Sequence, residues 1–497
     1  MSPRRVGFVD VTTRDAHQSL WATRMTNAMI LPFIPRMDEM GFDWINLEGG
    51  AVFDVCVRYL HEDPWERMRL VAQRVHRTPV DIMTRGQSLF TFRFFPDDVV
   101  ALTLRRIKAN GMHRVTIYDA LNDVRNLELS IKVAKQEGLY VCAGLVYTVS
   151  PVHTDEYYTQ VARELAELGA DSVFIKDPSG LLMPERVRTL VPAVRGAIGD
   201  LPLELHSHSL SGEAERCYLE AVPLGVDVLH TATEPLASGA SLPPTGYCVR
   251  HLTREGYRTE LRPDDLAEMA DYFEGVAIRH GFPLATPHRF DPALYRHQVP
   301  GGMISNLRTD LARMGMEHRE DEILEEAEQV RMDLGYPILV SPFAQFVITQ
   351  AMLNVTQGER YRTLPEEIRR YVLGHYGRIA GTVLPKIVDR VLDEAEPGTT
   401  VYQGRAGELL EPGLPAVDER RGPFDSDDDR LLAAFYSDNE LRGLKAAGSS
   451  KIGNDEPVSA TTPVVELLRG LAQRPELTSV HIDKPGLRLR MTRRGVR

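Results

Sequence analysis

The feature that most constrains the fold is a regular alternation of short β-branched runs with amphipathic stretches between residues 6 and 231. The predicted strands cover residues 6–11, 43–47, 79–83, 114–118, 139–146, 172–176, 202–206 and 226–231. Successive strands are separated by roughly 20–35 residues, which is the length that a βαβ unit needs. Helical periodicity fills the gaps, for example at 96–110 and at 155–168, where Asp155 is a candidate cap.

Eight such units predict an α/β fold, a closed (β/α)8 TIM barrel over residues 1–290, with functional side chains at the carboxyl ends of the strands. Several of the strands are apolar throughout, as parallel strands covered on both faces are. An open, doubly wound sheet is the alternative architecture. It is disfavoured because no GxGxxG motif follows the first strand.

The rest of the chain is predicted to be mainly helical. Residues 291–440 are expected to form a helical C-terminal extension, a linker to cover 441–462 and a small docking-type segment to cover 463–497. Long charged helices are predicted at 263–280 and 310–334, further helices at 348–355, 364–374 and 464–472, and short strands at 479–482 and 487–491.

Polar side chains follow the predicted strands at their carboxyl ends. His206 and His208 are one residue apart on an extended strand, so both point to the same face and can share a divalent cation. Asp15 and Lys176 complete a candidate ligand set that suits zinc, manganese or cobalt. A lysine ligand requires a deprotonated amine or a carbamate formed with carbon dioxide. The alternative is that Lys176 pairs with Asp177.

Charge and cysteine usage restrict the possible partners and the compartment. A net charge of -12 argues against a broad nucleic-acid or anionic-membrane surface. The four cysteines form no CxxC motif and are expected to be buried free thiols in a reducing compartment. No signal peptide and no apolar run long enough to cross a bilayer is evident, so we expect a cytoplasmic protein.

Several longer motifs resemble one family. Residues 10–24 (DVTTRDAHQSLWATR) and 175–182 (IKDPSGLL) are similar to signatures of the carboxyltransferase domains and subunits of biotin-dependent carboxylases. This family includes pyruvate carboxylase, the oxaloacetate decarboxylase alpha subunit and the transcarboxylase 5S subunit. Further similar segments lie at 49–54, 62–67, 85–86, 206–208, 299–307 and 353–361. The resemblance covers residues 5 to 440.

The resemblance implies roles for individual residues. The metal ligands would be Asp15, His206, His208 and a carbamylated, catalytic Lys176. Arg85 would bind the carboxylate of a 2-oxo acid, and Arg14 and Gln18 would help to bind the substrate or its enolate oxygen. The metal, most simply zinc, would stabilise the enolate, and carboxybiotin would supply the carboxyl group.

Two departures from the family concern hydroxyl groups. Ala240 occupies the place of a catalytic threonine that passes a proton between biotin and substrate, and Phe92 replaces a tyrosine on the substrate side. Residues 46–48 (NLE) also differ from the family pattern. Either Ser238 or Ser241, the latter beside the substrate, takes over the relay, or the substrate differs from pyruvate, or the half-reaction is altered. We therefore hypothesise that the substrate is not pyruvate.

The resemblance also predicts the partners. No Met-Lys-Met biotin-acceptor motif occurs, so biotin is expected on a separate biotin carboxyl carrier protein, working with a biotin carboxylase subunit. A homodimer is expected by family resemblance. Two alternatives stay open: a metal-dependent lyase or Claisen-type synthase on the same barrel, and a degenerate carboxyltransferase that serves as an assembly subunit.

Overall fold

The predicted barrel is present in the computed structural model, which describes residues 3–290, 292–450, 479–484 and 487–492. Eight parallel strands pair in chain order, and the last pairs with the first to close the ring. They are β1 Gly7–Asp10, β2 Trp44–Gly49, β3 Val80–Thr84, β4 Arg114–Tyr118, β5 Tyr140–Val146, β6 Ser172–Asp177, β7 Leu203–Ser207 and β8 Val228–Thr231. The closed (β/α)8 fold is confirmed, and every strand lies within two residues of its predicted bounds.

Helices follow the strands and cover the outside of the ring. They are α1 His17–Leu20, α2 Asn27–Ile30, α3 Ile34–Met37, α4 Ala51–Val55, α5 Pro64–Ala72, α6 Asp97–Ala109, α7 Glu128–Gln136, α8 Asp155–Glu167, α9 Pro184–Ile198, α10 Ala214–Leu224, α11 Thr245–Arg254 and α12 Pro263–His280. The predicted cap of α8 is wrong, because the side chain of Thr154, not Asp155, accepts the backbone N–H of Tyr157. Asp155 lies in the first turn and pairs with Arg186.

The chain from residue 292 to 447 is helical, as predicted. Its helices are α13 Pro292–His297, α14 Gly301–Met314, α15 Glu320–Asp333, α16 Phe343–Gln357, α17 Glu366–Val372, α18 Pro385–Asp393, α19 Leu414–Arg421, α20 Asp427–Phe435 and α21 Asp438–Ala447. The single helix predicted at 310–334 is wrong, since Gly315, at φ 66°, ends α14 with a left-handed cap. Residues 441–447 of the predicted linker belong to α21, which begins with a capping box of Ser437 and Glu440.

Short helical turns complete the described structure. Single π-helical turns cover Thr12–Ala16 and Cys56–Leu60. Turns of 3-10 helix cover Gly86–Ser88, Val124–Leu127, Ser209–Ser211, Glu234–Leu236, Glu317–Arg319 and Ala406–Leu409.

Near the C-terminus, β9 Ser479–Lys484 and β10 Leu487–Thr492 pair as an antiparallel two-stranded sheet, which confirms the two predicted strands. The helix predicted at 464–472 lies outside the described residues. All four cysteines are buried free thiols, as expected. Among the helices that the structure describes, none is long and apolar enough to cross a membrane.

The helical extension packs on the carboxyl end of the barrel. Met83 and Tyr118, from barrel strands, belong to the same buried apolar cluster as Leu334 and Phe343 from the extension. The guanidinium group of Arg331 donates to Thr148 Oγ1 at 3.0 Å and to the carbonyl oxygen of Val149 at 3.1 Å, both in the loop after β5. The extension therefore covers part of the barrel end at which functional residues are expected.

The last described helices return to the outside of the barrel. The ring of Phe435, at the end of α20, lies with its centroid 5.0 Å from that of Phe95 and 6.1 Å from that of Phe90. Asp428 accepts hydrogen bonds from Arg69 and Arg106 on helices α5 and α6. The aromatic contacts hold the loop after β3, which contains Arg85, against the end of α20.

Candidate active site

Three predicted ligands meet at the carboxyl end of the barrel. His206 lies in β7, His208 follows that strand, and Asp15 lies in the π-helical turn after β1. Asp15 Oδ2 is 3.2 Å from His206 Nε2, and Asp15 Oδ1 is 3.5 Å from His208 Nε2. One ligand atom from each residue lies within 4.8 Å of the others, and all three side chains are buried.

The donor set fits a divalent metal ion. His208 Nδ1 is 2.7 Å from the carbonyl oxygen of Ala240, and because a carbonyl only accepts, Nδ1 carries the proton. In the neutral form that binds metal ions, His208 then turns the lone pair of Nε2 toward the carboxylate of Asp15, which is also an acceptor. A cation between them removes this repulsion, and two imidazoles with one carboxylate suit zinc, manganese or cobalt.

Lys176 lies beside this group. It is the register partner of His206 on the neighbouring strand, and Nζ lies 3.1 Å from His206 Nε2. Burial lowers the pKa of Lys176 to about 7, although the charge of Asp15 opposes this shift. Asp177 accepts from Ser207 and from the backbone N–H groups of Leu181 and Leu182 rather than from Lys176. The alternative Lys176–Asp177 pair is therefore not formed.

Arg14 supports Asp15. One guanidinium nitrogen lies 2.7 Å from Asp15 Oδ2, and Nε donates to Asn46 Oδ1 at 2.7 Å. Burial alone would raise the pKa of Asp15, but the charge of Arg14 holds it well below its ordinary value. The departure from the family pattern at residues 46–48 has a structural explanation at Asn46. Its side-chain oxygen accepts from Arg14 and its amide nitrogen donates to Asp81, so it links the two residues.

Arg85 offers an unsatisfied positive charge. The residue is 8% exposed, one terminal nitrogen donates to the carbonyl oxygen of Phe90 at 2.8 Å, and Nε has no partner among the described residues. The guanidinium carbon lies 4.9 Å from the ring centroid of Phe92, which is 54% exposed. Arg85 also helps to lower the pKa of Lys176, so the two groups are close enough for their charges to interact.

The remaining predicted residues lie in α1 and in the loop after β8. The buried Oε1 of Gln18, beside Gly50, has no hydrogen-bond partner within the part of the chain that the structure describes. In the loop after β8, Ser238 Oγ donates to Glu215 at 2.8 Å, whereas the fully buried Ser241 Oγ has no described partner. Ala240 contributes its carbonyl group, which holds His208.

Sequence reasoning missed the polar interior of the barrel below these ligands. Asp81, Arg114, Glu204 and His230 are at most 1% exposed and lie on four different strands. Arg114 lies 2.7 Å from Glu204 and 3.6 Å from Asp81. The available signal was the alternation of polar residues in β4 and β7, which marks one face of each strand.

The sequence of this chain is similar to a family model and to several known proteins. A family model described as a conserved carboxylase domain matches residues 294–484. A pyruvate carboxylase subunit of Methanocaldococcus jannaschii is 41% identical over 444 residues, which cover 88% of this chain and 78% of that protein. The methylmalonyl-CoA carboxyltransferase 5S subunit of Propionibacterium freudenreichii subsp. shermanii is 35% identical over 82% of this chain and 81% of that protein.

A solved structure extends the similarity to three dimensions. The carboxyl transferase domain of Rhizobium etli pyruvate carboxylase, determined with oxamate and biotin, aligns with a TM-score of 0.81 and 28% sequence identity. The alignment covers 90% of this chain and 78% of that one. The shared architecture therefore includes the barrel and the greater part of the extension.

Proposed function

The chain belongs to the carboxyltransferase family of the biotin-dependent carboxylases, and from this premise we propose that it transfers a carboxyl group between carboxybiotin and a 2-oxo acid at a divalent metal site. The observation that supports the metal site best is the convergence of Asp15, His206 and His208, whose acceptor atoms face one another in a buried space. Membership of this family sets aside the metal-dependent lyase or Claisen-type synthase.

The proposed ligands are Asp15, His206, His208 and Lys176, with zinc as the expected ion and manganese or cobalt as suitable substitutes. A lysine with a pKa of about 7 is partly a free amine at neutral pH. The free amine adds carbon dioxide and releases a proton to give a carbamate, which supplies anionic oxygens. When bound, the metal supplies Lewis acidity toward the enolate of the substrate.

Arg85 is the proposed site for the substrate carboxylate. A buried guanidinium with an unsatisfied Nε offers the charge and the planar donors that a carboxylate needs. Phe92 lies against the same guanidinium and would line the substrate side. Gln18, with its unsatisfied amide oxygen, is the proposed contact to the reacting end of the acid, while Arg14 acts by keeping Asp15 ionised and oriented.

In carboxyl transfer, the N–CO2 bond of carboxybiotin breaks and a C–C bond forms at the enolate carbon. The proton removed from that carbon ends on the biotin nitrogen. Ala240 has no hydroxyl to pass this proton, and Ser238 is already bonded to Glu215. Ser241, whose buried hydroxyl has no described partner, is therefore the proposed substitute.

The acceptor is proposed to be a 2-oxo acid other than pyruvate, because Phe92 and Ala240 lack the hydroxyls expected around a pyruvate-sized substrate. The test is to supply zinc-loaded protein with carboxybiotin and either pyruvate or 2-oxoglutarate, and to follow carboxylated product. Faster turnover of pyruvate would refute the acceptor assignment. A metal-loaded chain that turns over no 2-oxo acid would favour the degenerate assembly subunit.

The proposed partners are a biotin carboxyl carrier protein, a biotin carboxylase subunit and a second copy of this chain, acting together in the cytoplasm. The hairpin of β9 and β10 is the proposed docking element. A streptavidin blot of the purified chain is expected to be blank, because the sequence contains no Met-Lys-Met motif. A biotinylated band would show that biotin is carried on this chain.

A further inference from the structure

We propose that His230 and Glu204 are positioning residues that hold His206 in the tautomer with the proton on Nδ1, so that Nε2 is presented to the metal. The inference rests on the metal site of the proposed function, but it assigns a role to two residues outside that ligand set. Both are buried in the barrel interior, directly below His206.

Glu204 lies two residues before His206 on β7 and so on the same face of the strand. A terminal nitrogen of Arg114 donates to Glu204 Oε2 at 2.7 Å, and Ser172 Oγ donates to Oε1 at 2.7 Å. A carboxylate that receives an arginine and a hydroxyl in a buried place is an ionised acceptor. His230 Nε2, 2.8 Å from Oε2, must therefore donate to it.

The position of the proton on His230 determines the tautomer of His206. With its proton on Nε2, neutral His230 has a lone pair on Nδ1, and this atom lies 3.2 Å from His206 Nδ1. His206 must donate from Nδ1, which leaves the lone pair on Nε2. Arg114 already compensates the charge of Glu204, so the pair is satisfied with a neutral imidazole.

The other tautomer of His206, with the proton on Nε2, would interfere with metal binding. A proton on His206 Nε2 would donate to Asp15 Oδ2, 3.2 Å away, and would occupy the place of the metal. Asp15 favours that arrangement whenever the ion is absent. The carbonyl of Ala240 keeps the proton of His208 on Nδ1, whereas for His206 Nδ1 the acceptor among the described residues is His230.

The position of His230 is itself fixed by packing. The ring of Phe174 is stacked on it, with centroids 5.8 Å apart and an angle of 5° between the planes. Gly144 on β5 leaves the space for Phe174, since a Cβ at that position would lie 2.2 Å from the phenyl ring. The His230 and His206 rings meet edge to face at 80°.

Two variants of the full chain separate hydrogen bonding from packing. His230→Phe keeps an aromatic ring against Phe174 but removes the acceptor for His206. His230→Asn places an amide oxygen near the former Nδ1 and keeps the acceptor. Phe174→Leu is the matched control, because it alters the packing around His230 and leaves every hydrogen bond of the pair in place.

The first measurement is the tautomer of His206 in metal-free protein, by ¹⁵N NMR of histidine-labelled chain. We expect a proton on Nδ1 in the wild type, His230→Asn and Phe174→Leu, and a shift toward Nε2 in His230→Phe, with His208 unchanged throughout. The second is zinc affinity by chelator competition. We expect a loss of about 10–100-fold in His230→Phe and recovery of most of it in His230→Asn.

A wild-type His206 with its proton on Nε2 would overturn the inference, and this measurement needs no variant to fold. Wild-type zinc affinity in a folded His230→Phe would also overturn it. A wild-type chain that binds no zinc, yet has the Nδ1 proton that His230→Phe displaces, would refute the proposed metal site and support the positioning role. The two failures are therefore distinguishable.

Discussion

Lys176 Nζ lies 3.1 Å from His206 Nε2, across two neighbouring strands on which the residues are register partners. Both side chains are buried; His206 Nε2 lies 3.2 Å from Asp15 Oδ2, and the charge of Asp15 also acts on Lys176. An amine in this place either competes with a metal for the imidazole lone pair or, as a carbamate, joins it in binding the ion.

Lys176→Ala is expected to weaken zinc affinity by at least about 10–100-fold, the loss seen even when a group that only supports a metal ligand is removed. The measurement is zinc content and affinity, together with carboxyl transfer. Acetate, which replaces the missing carbamate oxygens, should restore part of both. Lys135→Ala, at a half-exposed ion pair with Asp171, is the control. Unchanged zinc affinity in Lys176→Ala would rule out lysine as a ligand.

Arg85→Lys is expected to raise KM for the 2-oxo acid and leave zinc content unchanged. Lysine keeps the charge but cannot offer planar paired donors, and hydrogen bonds to charged groups contribute about 1.5–3 kcal/mol, or roughly 10–150-fold. Steady-state kinetics measure the effect. Arg93→Lys is the matched control, since Arg93 donates to the carbonyl groups of Ala434 and Phe435. Equal KM values for Arg85→Lys and wild type would place the substrate carboxylate elsewhere.

Ser241→Ala is expected to lower kcat by about 10²–10⁴-fold, the usual contribution of a proton relay. Ser238→Ala removes a hydroxyl that is already bonded to Glu215 and should leave kcat near the wild-type value. Ala240→Thr adds the hydroxyl found in the family and should partly rescue Ser241→Ala. Rapid-quench measurement of a single turnover isolates the transfer step. A larger loss in Ser238→Ala than in Ser241→Ala would reverse the assignment.

Glu48→Gln is expected to change the pH dependence of stability. Burial raises the pKa of Glu48 to about 7 in the folded chain, although Arg67, with Nε 3.8 Å away, opposes the shift. The folded state thus retains a proton that the unfolded state releases above its ordinary value of 4.5, so wild-type stability falls as pH rises through this window. Glutamine does not titrate and escapes this loss.

Relative to the wild type, the free energy of unfolding of Glu48→Gln should therefore be greater at about pH 8 than at about pH 5, by about 3 kcal/mol. Urea denaturation at the two pH values measures this difference. Glu39→Gln, on the protein surface, is the control. A difference of the opposite sign would mean that Glu48 is ionised in the folded chain throughout this range.

The sequence alone predicted the barrel and the gathering of four candidate ligands, because strand spacing and period-two alternation are local properties of the chain. His206 and His208 fall on one face for that reason. It missed the cap of α8, since Thr154 and Asp155 are both good caps and backbone geometry decides between them. It also missed the break at Gly315, because a single glycine is tolerated within an amphipathic pattern.

The polar barrel interior was missed for a different reason. Arg114, Glu204 and His230 are acceptable inside a barrel only because they neutralise and hydrogen-bond one another across different strands. That complementarity is a property of three distant segments, so it cannot be recognised from the sequence of any one of them. The roles of these residues are evident only from the closed barrel, in which their strands lie side by side.

The apolar cluster that joins the barrel end to the extension also limits how this protein can evolve. Met83, Tyr118 and Val146 lie in the same interior as Leu334 and Phe343, so the two halves are not modules connected by a hinge. A recombination breakpoint near residue 290 would join a barrel and a helical extension from different proteins, whose contact surfaces have not evolved together. Inheritance of the ligand-bearing strands is thus tied to inheritance of helices encoded far downstream.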